Sequence, residues 1–478
     1  MLGVLTSPYA IGVASRFLVQ IVAFVQVMIA SRYLGLAEFG IYALAWAATV
    51  IANSFVYTGF YQALLRSPDI GRDRDTLFWA ILAVGLAGGA VIGGIGFGIY
   101  WNFGAFTGSV SATTALALCL LAPIPILRAP AAWNESQLIQ EQRVRSASSH
   151  VVASELCAAL VGWLCLRAGY GVLSLIAARY AAVAVELTIT TLLIRRVPKL
   201  RVDRMTLAQA RKTAVPLWGT TAMGMFSNYG ADLILGVFLN PAAVGAYRGG
   251  ARISQTVSDL VLQPLTMLSW SSFTQLEKQG AQQGMRDVWV QNMGFGAVLL
   301  WPILACVALL APELVSVVFD ETWLPAAPIV AILCLARAIR FLSVLLEPAL
   351  ICNHQGQRQL RIRFIGAVLL LACLLGFGRY SGAAAAYAHV ATSVVVAALS
   401  LIAMMGLLQI TMRDLARALL PAGAIGGVCV AVVFTSQGWR DAGDPGFGLA
   451  LTVAALVAVW LVLVGLALRA RLLNLPRP

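Results

Sequence analysis

Apolar blocks recur along the whole chain with only short polar breaks between them, and this alternation restricts the fold to a bundle of membrane-crossing helices. The blocks are Ile11–Ile29, Phe39–Leu64, Leu77–Tyr100, Ala112–Leu127, Val151–Leu166, Gly171–Leu193 and Ala214–Phe238. They continue as Val244–Leu268, Trp289–Leu310, Ala326–Leu350, Ile362–Phe377, Ala383–Leu408, Leu415–Phe434 and Phe447–Leu468. Fourteen transmembrane helices are therefore predicted, in an all-α polytopic membrane protein. Composition agrees: 11% of the residues are charged, against roughly 25% in soluble domains, and the mean hydropathy is +0.85. The N-terminus carries no basic n-region and no small-residue cleavage site, so the first block is expected to be a retained helix.

Loop charge fixes the orientation. With the N-terminus inside, the cytoplasmic breaks hold 23 Lys and Arg and the opposite side holds four, Arg32, Arg167, Arg379 and Arg440. That asymmetry is the positive-inside pattern and predicts both termini in the cytoplasm, in the inner (cytoplasmic) membrane. It also accounts for the net charge of +13, so nucleic acid is not an expected partner.

The most basic break, Arg195-Arg196-Val197-Pro198-Lys199-Leu200-Arg201 and on to Lys212, separates two sets of six blocks. A weak repeat supports the division: LGLAEFGIY (Leu34–Tyr42) aligns on LNPAAVGAY (Leu239–Tyr247), each joining the first and second block of its set. The expected organisation is an N-lobe at 1–196, a basic linker at 197–213, a C-lobe at 214–410 and two C-terminal helices with a tail at 411–478. The repeat spans an even number of helices, so the halves are parallel and a central site lies between them.

Away from the block ends six arginines remain: Arg16, Arg179, Arg248, Arg252, Arg337 and Arg340. An Arg at the bilayer centre costs about 2.5–3.5 kcal/mol on the insertion scale, so such residues face a polar interior. On the eighth block Arg248, Arg252, Gln255 and Asp259 fall within about 60° of arc at 100° per residue, a single polar stripe. Two guanidinium groups one turn apart form a fork for phosphate oxygens. The stripe also suits a structural network in which Arg248 or Arg252 pairs with Asp259 or Asp232. Asp232, in a stripe with Thr221 and Asn228, is expected either to hold an arginine or to titrate as a coupling group. Asn53, Tyr57 and Tyr61 follow i+4 steps on the second block, where they suit sugar hydroxyls or ordinary helix packing. Arg337, Arg340 and Glu347 share an arc of about 80° on the tenth. Arg179 and Glu186 align on the sixth, with Glu155 on the fifth. These are read as internal ion pairs first and as secondary cationic candidates second.

The segment SRYLGLAEFGIYALA (Ser31–Ala45), following an apolar helix that carries Arg16, resembles the bacterial polysaccharide flippases. That superfamily also holds the lipid II flippases and the multidrug and toxin extrusion transporters. GAYRGGARISQTVSDLVLQPL (Gly245–Leu265) is similar to the family's eighth helix. The resemblance covers essentially the whole chain. It implies two six-helix lobes, a central cavity facing one side at a time, and export of undecaprenyl-diphosphate-linked oligosaccharide for cell-surface polysaccharide. It places the first helix on the cavity, so Arg16, with Gln20 one turn on, joins Arg248, Arg252, Gln255, Asn53 and Tyr57 as a substrate-binding candidate. Implied partners are the lipid-linked glycan, the bilayer, and a polysaccharide polymerase with other assembly proteins.

A multidrug or metabolite exporter of the same superfamily is the alternative, and would call for a carboxylate-dominated cavity. An enzyme is not expected, because no long outer loop, nucleophile–base constellation or nucleotide motif is present. Eight cysteines without a C-x-x-C pair and three isolated histidines give no expectation of a metal or cofactor. Coupling to H+, Na+ or the membrane potential stays open.

Overall fold

Long apolar runs with internally satisfied backbones produce helices throughout the described residues, which comprise 8–67, 70–101, 112–280, 282–441 and 445–470 of a computed structural model. Each of the fourteen expected spans falls on helix. The first half contains α1 (Pro8–Tyr33), α2 (Leu36–Val56), α3 (Phe60–Leu65), α4 (Ile70–Trp101), α5 (Ala112–Leu121), α6 (Ile124–Gln140), α7 (Val144–Arg167) and α8 (Val172–Ile194). Then come α9 (Arg204–Phe238), α10 (Pro241–Gln279), α11 (Gln282–Leu309), α12 (Ala311–Val318), α13 (Ala327–Arg340) and α14 (Leu346–Cys352). The chain closes with α15 (Gly356–Gly376), α16 (Gly382–Leu408), α17 (Met412–Thr435), α18 (Gln437–Asp441) and α19 (Pro445–Arg469). Eleven spans among the described residues are long and apolar enough to cross a membrane. The other three fall on α1, where Phe17–Tyr33 is a shorter apolar stretch, and on α9 and α10, which reach 35 and 39 residues but carry the polar stripes.

Three spans are broken, each for a local reason. Between α2 and α3 the chain turns at Gly59, whose φ of +59° suits glycine and whose missing side chain makes room for Trp218 of α9. Trp218 then donates its Nε1 to Phe55 O at 3.1 Å. Between α5 and α6 the break falls at Ala122–Pro123, where proline cannot continue the hydrogen-bond ladder. The helix resumes and runs to Gln140, so the expected end of the fourth span at Leu127 is too early. Arg128, assigned from sequence to a cytoplasmic loop, sits inside the span Ala112–Gln140 instead. Between α13 and α14 the helix narrows to a 3₁₀ turn at Phe341–Ser343 before restarting.

Contacts divide the chain into two compact units, 1–248 and 249–478. In the first, α7 packs on α8 and on α1, α4 on α5 and α6, and α9 on α2, α3 and α4. The seventh span, grouped from sequence with the C-lobe, thus packs in this unit with helices of the N-lobe. The two repeat segments also meet here. A Cβ on Gly40 would lie 1.7 Å from Pro241 O, and one on Gly245 would lie 2.0 Å from Leu36 O. The small residues shared by both copies let the two backbones touch. In the second unit α11 packs on α17 and α13, α13 on α16, and α17 on α19.

Candidate functional site

In the first unit Arg128, Arg179 and Arg248 are each matched to a carboxylate. Arg179 of α8 lies 3.4 Å from Glu155 on α7, donates to Tyr42 Oη at 3.0 Å and to Gln26 Oε1 at 2.6 Å, and covers the Trp46 ring at 4.8 Å. Arg128 lies 3.6 Å from Glu186, whose other oxygen accepts from Tyr57 Oη. Glu135 is within electrostatic reach of both groups. Arg248 lies 3.2 Å from Asp232, a carboxylate with no exposed surface, and its guanidinium stands 4.4 Å from the centre of the Tyr229 ring. Burying an ion without such a partner costs several kcal/mol, so these contacts are what allow the arginines to be there.

The sequence candidates of this unit distribute accordingly. Arg248, expected as one prong of a phosphate fork, is held by Asp232. Tyr57 donates to Glu186, not to an open surface. Asn53 is buried, and both polar atoms of its carboxamide lack a partner among the described residues. Gln20 is half-buried on α1. The side chain of Arg16 lies outside the described residues.

The second unit is arranged differently. Arg252 and Asp259 lie on α10, Arg337 and Arg340 on the last turn of α13, and all three arginines act electrostatically on Asp259. Gln255 hydrogen-bonds to Asp259, and Arg337 donates its Nε to Ser254 Oγ at 3.4 Å. His389 of α16 lies within reach of Arg337 and Arg340. Three guanidinium groups therefore act on Asp259, and the exposed one, Arg340, makes no hydrogen bond or ion pair among the described residues.

Glu347 does not join this group. Its arc with Arg337 and Arg340 assumes an unbroken helix, whereas the 3₁₀ turn rotates α14 out of register with α13. Glu347 pairs instead with Arg363 of α15. The sequence contains the signal for the break: Pro348 has no N–H for the carbonyl of Val344 and its ring crowds that carbonyl. Arg337 and Arg340 consequently end a half-helix at a discontinuity, where Trp301 Nε1 donates to Ala338 O at 3.0 Å and Ser343 Oγ donates to Arg340 O at 2.7 Å. The arrangement can bind an anion by charge-assisted, bidentate hydrogen bonds. Among the described residues no cluster of three or more metal-ligating side chains occurs.

Comparison with known proteins adds family and fold. A family model described as "Polysaccharide biosynthesis protein" matches residues 29–328. The succinoglycan biosynthesis transport protein ExoT of Rhizobium meliloti (strain 1021) is 22% identical over 321 residues, which are 66% of this chain and 63% of that protein. The alignment thus spans less than two thirds of the relative's length. Among solved structures, the lipid II flippase MurJ in its inward closed conformation superposes with a TM-score of 0.78 at 11% identity, covering 96% of this chain and 99% of that one. An inward-facing multidrug resistance MATE family transporter of the MOP superfamily gives a TM-score of 0.62 at 13% identity, covering 82% and 96%. At these identities the likeness is one of fold. The resemblance drawn from Ser31–Ala45 and Gly245–Leu265 is borne out.

Proposed function

The chain belongs to the polysaccharide biosynthesis protein family, matched over residues 29–328, and from that premise we propose that it carries a polyprenyl-diphosphate-linked oligosaccharide across the cytoplasmic membrane. The observation that carries this reading is the cationic cluster of the second unit, where Arg252, Arg337 and Arg340 all act on Asp259 and Arg340 is exposed. A diphosphate brings at least two negative charges and several acceptor oxygens. Burying it without counter-charge is prohibitive, and paired guanidinium groups supply both charge and fork geometry. Arg340 makes first contact, Arg337 and Arg252 complete the cradle, and the polyprenyl chain stays in lipid. The names of the relatives, a succinoglycan transport protein and a lipid II flippase, support a lipid-linked glycan as cargo. The basic loops support an orientation with both termini in the cytoplasm. Outward movement of a net negative headgroup is driven by an inside-negative potential, worth about 2.3 kcal/mol per charge per 100 mV. No catalytic step is assigned, and polymerase and other assembly proteins would take up the product.

An exporter of cationic drugs would need free carboxylates at its site. Asp232 is committed to Arg248, and Asp259 is outnumbered. The test is translocation of a fluorescent polyprenyl-diphosphate oligosaccharide in proteoliposomes. Arg340→Ala should slow it about 10- to 100-fold, the worth of one charge-assisted contact of about 1.5–3 kcal/mol, at unchanged protein yield. Wild-type rates in that variant, or uptake of organic cations as fast as of the glycan lipid, would end the proposal.

A further inference from the structure

The chain between Ile194, the last residue of α8, and α9 is the most basic of the molecule: residues 195–212 hold seven Lys or Arg against one acid, Asp203. Positive charge on a cytoplasmic loop is topogenic, and by itself says nothing more. Three further observations do.

The segment is fastened down. Trp79 of α4 donates its Nε1 to Lys199 O at 3.0 Å, and Thr76 donates its hydroxyl to Arg201 O at 3.3 Å and accepts from Asp203 N at 3.0 Å. Asp203 caps α9 by accepting from Met205 N at 3.0 Å. Arg196 is partly engaged, 3.2 Å from Glu141.

With the backbone held on α4, the side chains turn outward, and the outward set is not only charged. Val197 is 85% exposed, Leu200 91%, Val202 63% and Met205 66%. Left in water, each large apolar side chain forgoes about 1.5–3 kcal/mol of burial. Topogenesis needs none of them.

The height of the segment is also set. Ile194 ends the span Val172–Ile194, and Trp79 stands near the start of the span Asp73–Trp101. A tryptophan that buries its ring and hydrogen-bonds at its edge is the residue type of the membrane–water boundary.

We infer that residues 195–205 form an interfacial binding surface for anionic phospholipids of the cytoplasmic leaflet. The cations meet headgroup phosphates, and Val197, Leu200, Val202 and Met205 enter the upper acyl region. Interleaved basic and apolar side chains at this level are the two contributions that interfacial anchors combine. The inference is independent of the cargo proposed above.

Hydrogen exchange of the full-length protein in nanodiscs tests it, comparing phosphatidylcholine alone with phosphatidylcholine containing phosphatidylglycerol. Amides of 196–202 should exchange about fivefold more slowly or better in the anionic discs, from about 1 kcal/mol per basic residue at the surface, and high salt should reverse the effect. Val197→Ser/Leu200→Ser, which keeps every charge and hence the topology, should abolish the slowing. Lys199→Gln/Arg201→Gln provides a second route if the first variant expresses poorly. Equal exchange in the two lipids, or slowing that survives both variants, overturns the proposal.

Discussion

Two sets of intramembrane arginines, one in each unit, are held in different ways. In residues 1–248, Arg128, Arg179 and Arg248 stand 3.6, 3.4 and 3.2 Å from Glu186, Glu155 and Asp232. In residues 249–478, Arg252, Arg337 and Arg340 share Asp259. The first arrangement is electrically closed and suits a scaffold. The second presents an exposed guanidinium, Arg340, that makes no hydrogen bond or ion pair among the described residues and is open to a ligand of opposite charge. The difference shows that an intramembrane arginine is a poor functional marker until its counter-ion is known.

The largest expected effect breaks or secures the closed half. Arg248→Ala strands Asp232, whose carboxylate has no exposed surface, and should cost about 3–5 kcal/mol of stability. Thermal unfolding in detergent reads this as a much lowered midpoint and poor yield. Arg248→Ala with Asp232→Asn should recover much of the loss. A stable, transport-dead Arg248→Ala would instead put Arg248 on the substrate and erase the contrast.

Next comes the open half. Arg340→Ala should leave the unfolding midpoint nearly unchanged, within about 0.5 kcal/mol, because its exposed guanidinium makes no hydrogen bond or ion pair among the described residues. Its effect belongs to transport alone. A midpoint as depressed as that of Arg248→Ala would mean that Arg340 is structural after all.

Much of this was legible in the sequence, and the failures have physical causes. Apolar blocks and loop charge reported the spans, because both follow from single-residue transfer energies. The polar stripe of α10 was visible from spacing, but its division between two roles was not. Arg248 is paired because α9 brings Asp232 near, and no local pattern on α10 encodes that. Arg128 was misplaced because the expected fourth span stops at Leu127, whereas the chain breaks at Ala122–Pro123 and continues as helix to Gln140. The arc joining Glu347 to Arg340 failed because a helical wheel cannot cross a 3₁₀ turn. In each case the error entered where backbone geometry departed from an ideal helix or where a partner came from far along the chain.

The smallest effects sharpen the comparison most, because they exchange one hydroxyl for nothing in each unit. Tyr42 accepts from Arg179 at 3.0 Å in the closed half, and Ser254 accepts from Arg337 at 3.4 Å in the open half. Tyr42→Phe removes one of several partners from a guanidinium that keeps Glu155 and Gln26. It should lower stability by about 1 kcal/mol and leave transport alone. Ser254→Ala removes a longer, weaker bond worth about 0.5–1 kcal/mol, and Ser254 is wholly buried, so little else changes around it. That bond orients Arg337 for a ligand, so its loss should appear as about two- to fivefold weaker pyrophosphate binding, measured calorimetrically, at an unchanged unfolding midpoint. Should Ser254→Ala lower the midpoint and spare binding, as Tyr42→Phe is expected to do, the two units would be built on one principle and the second would hold no site.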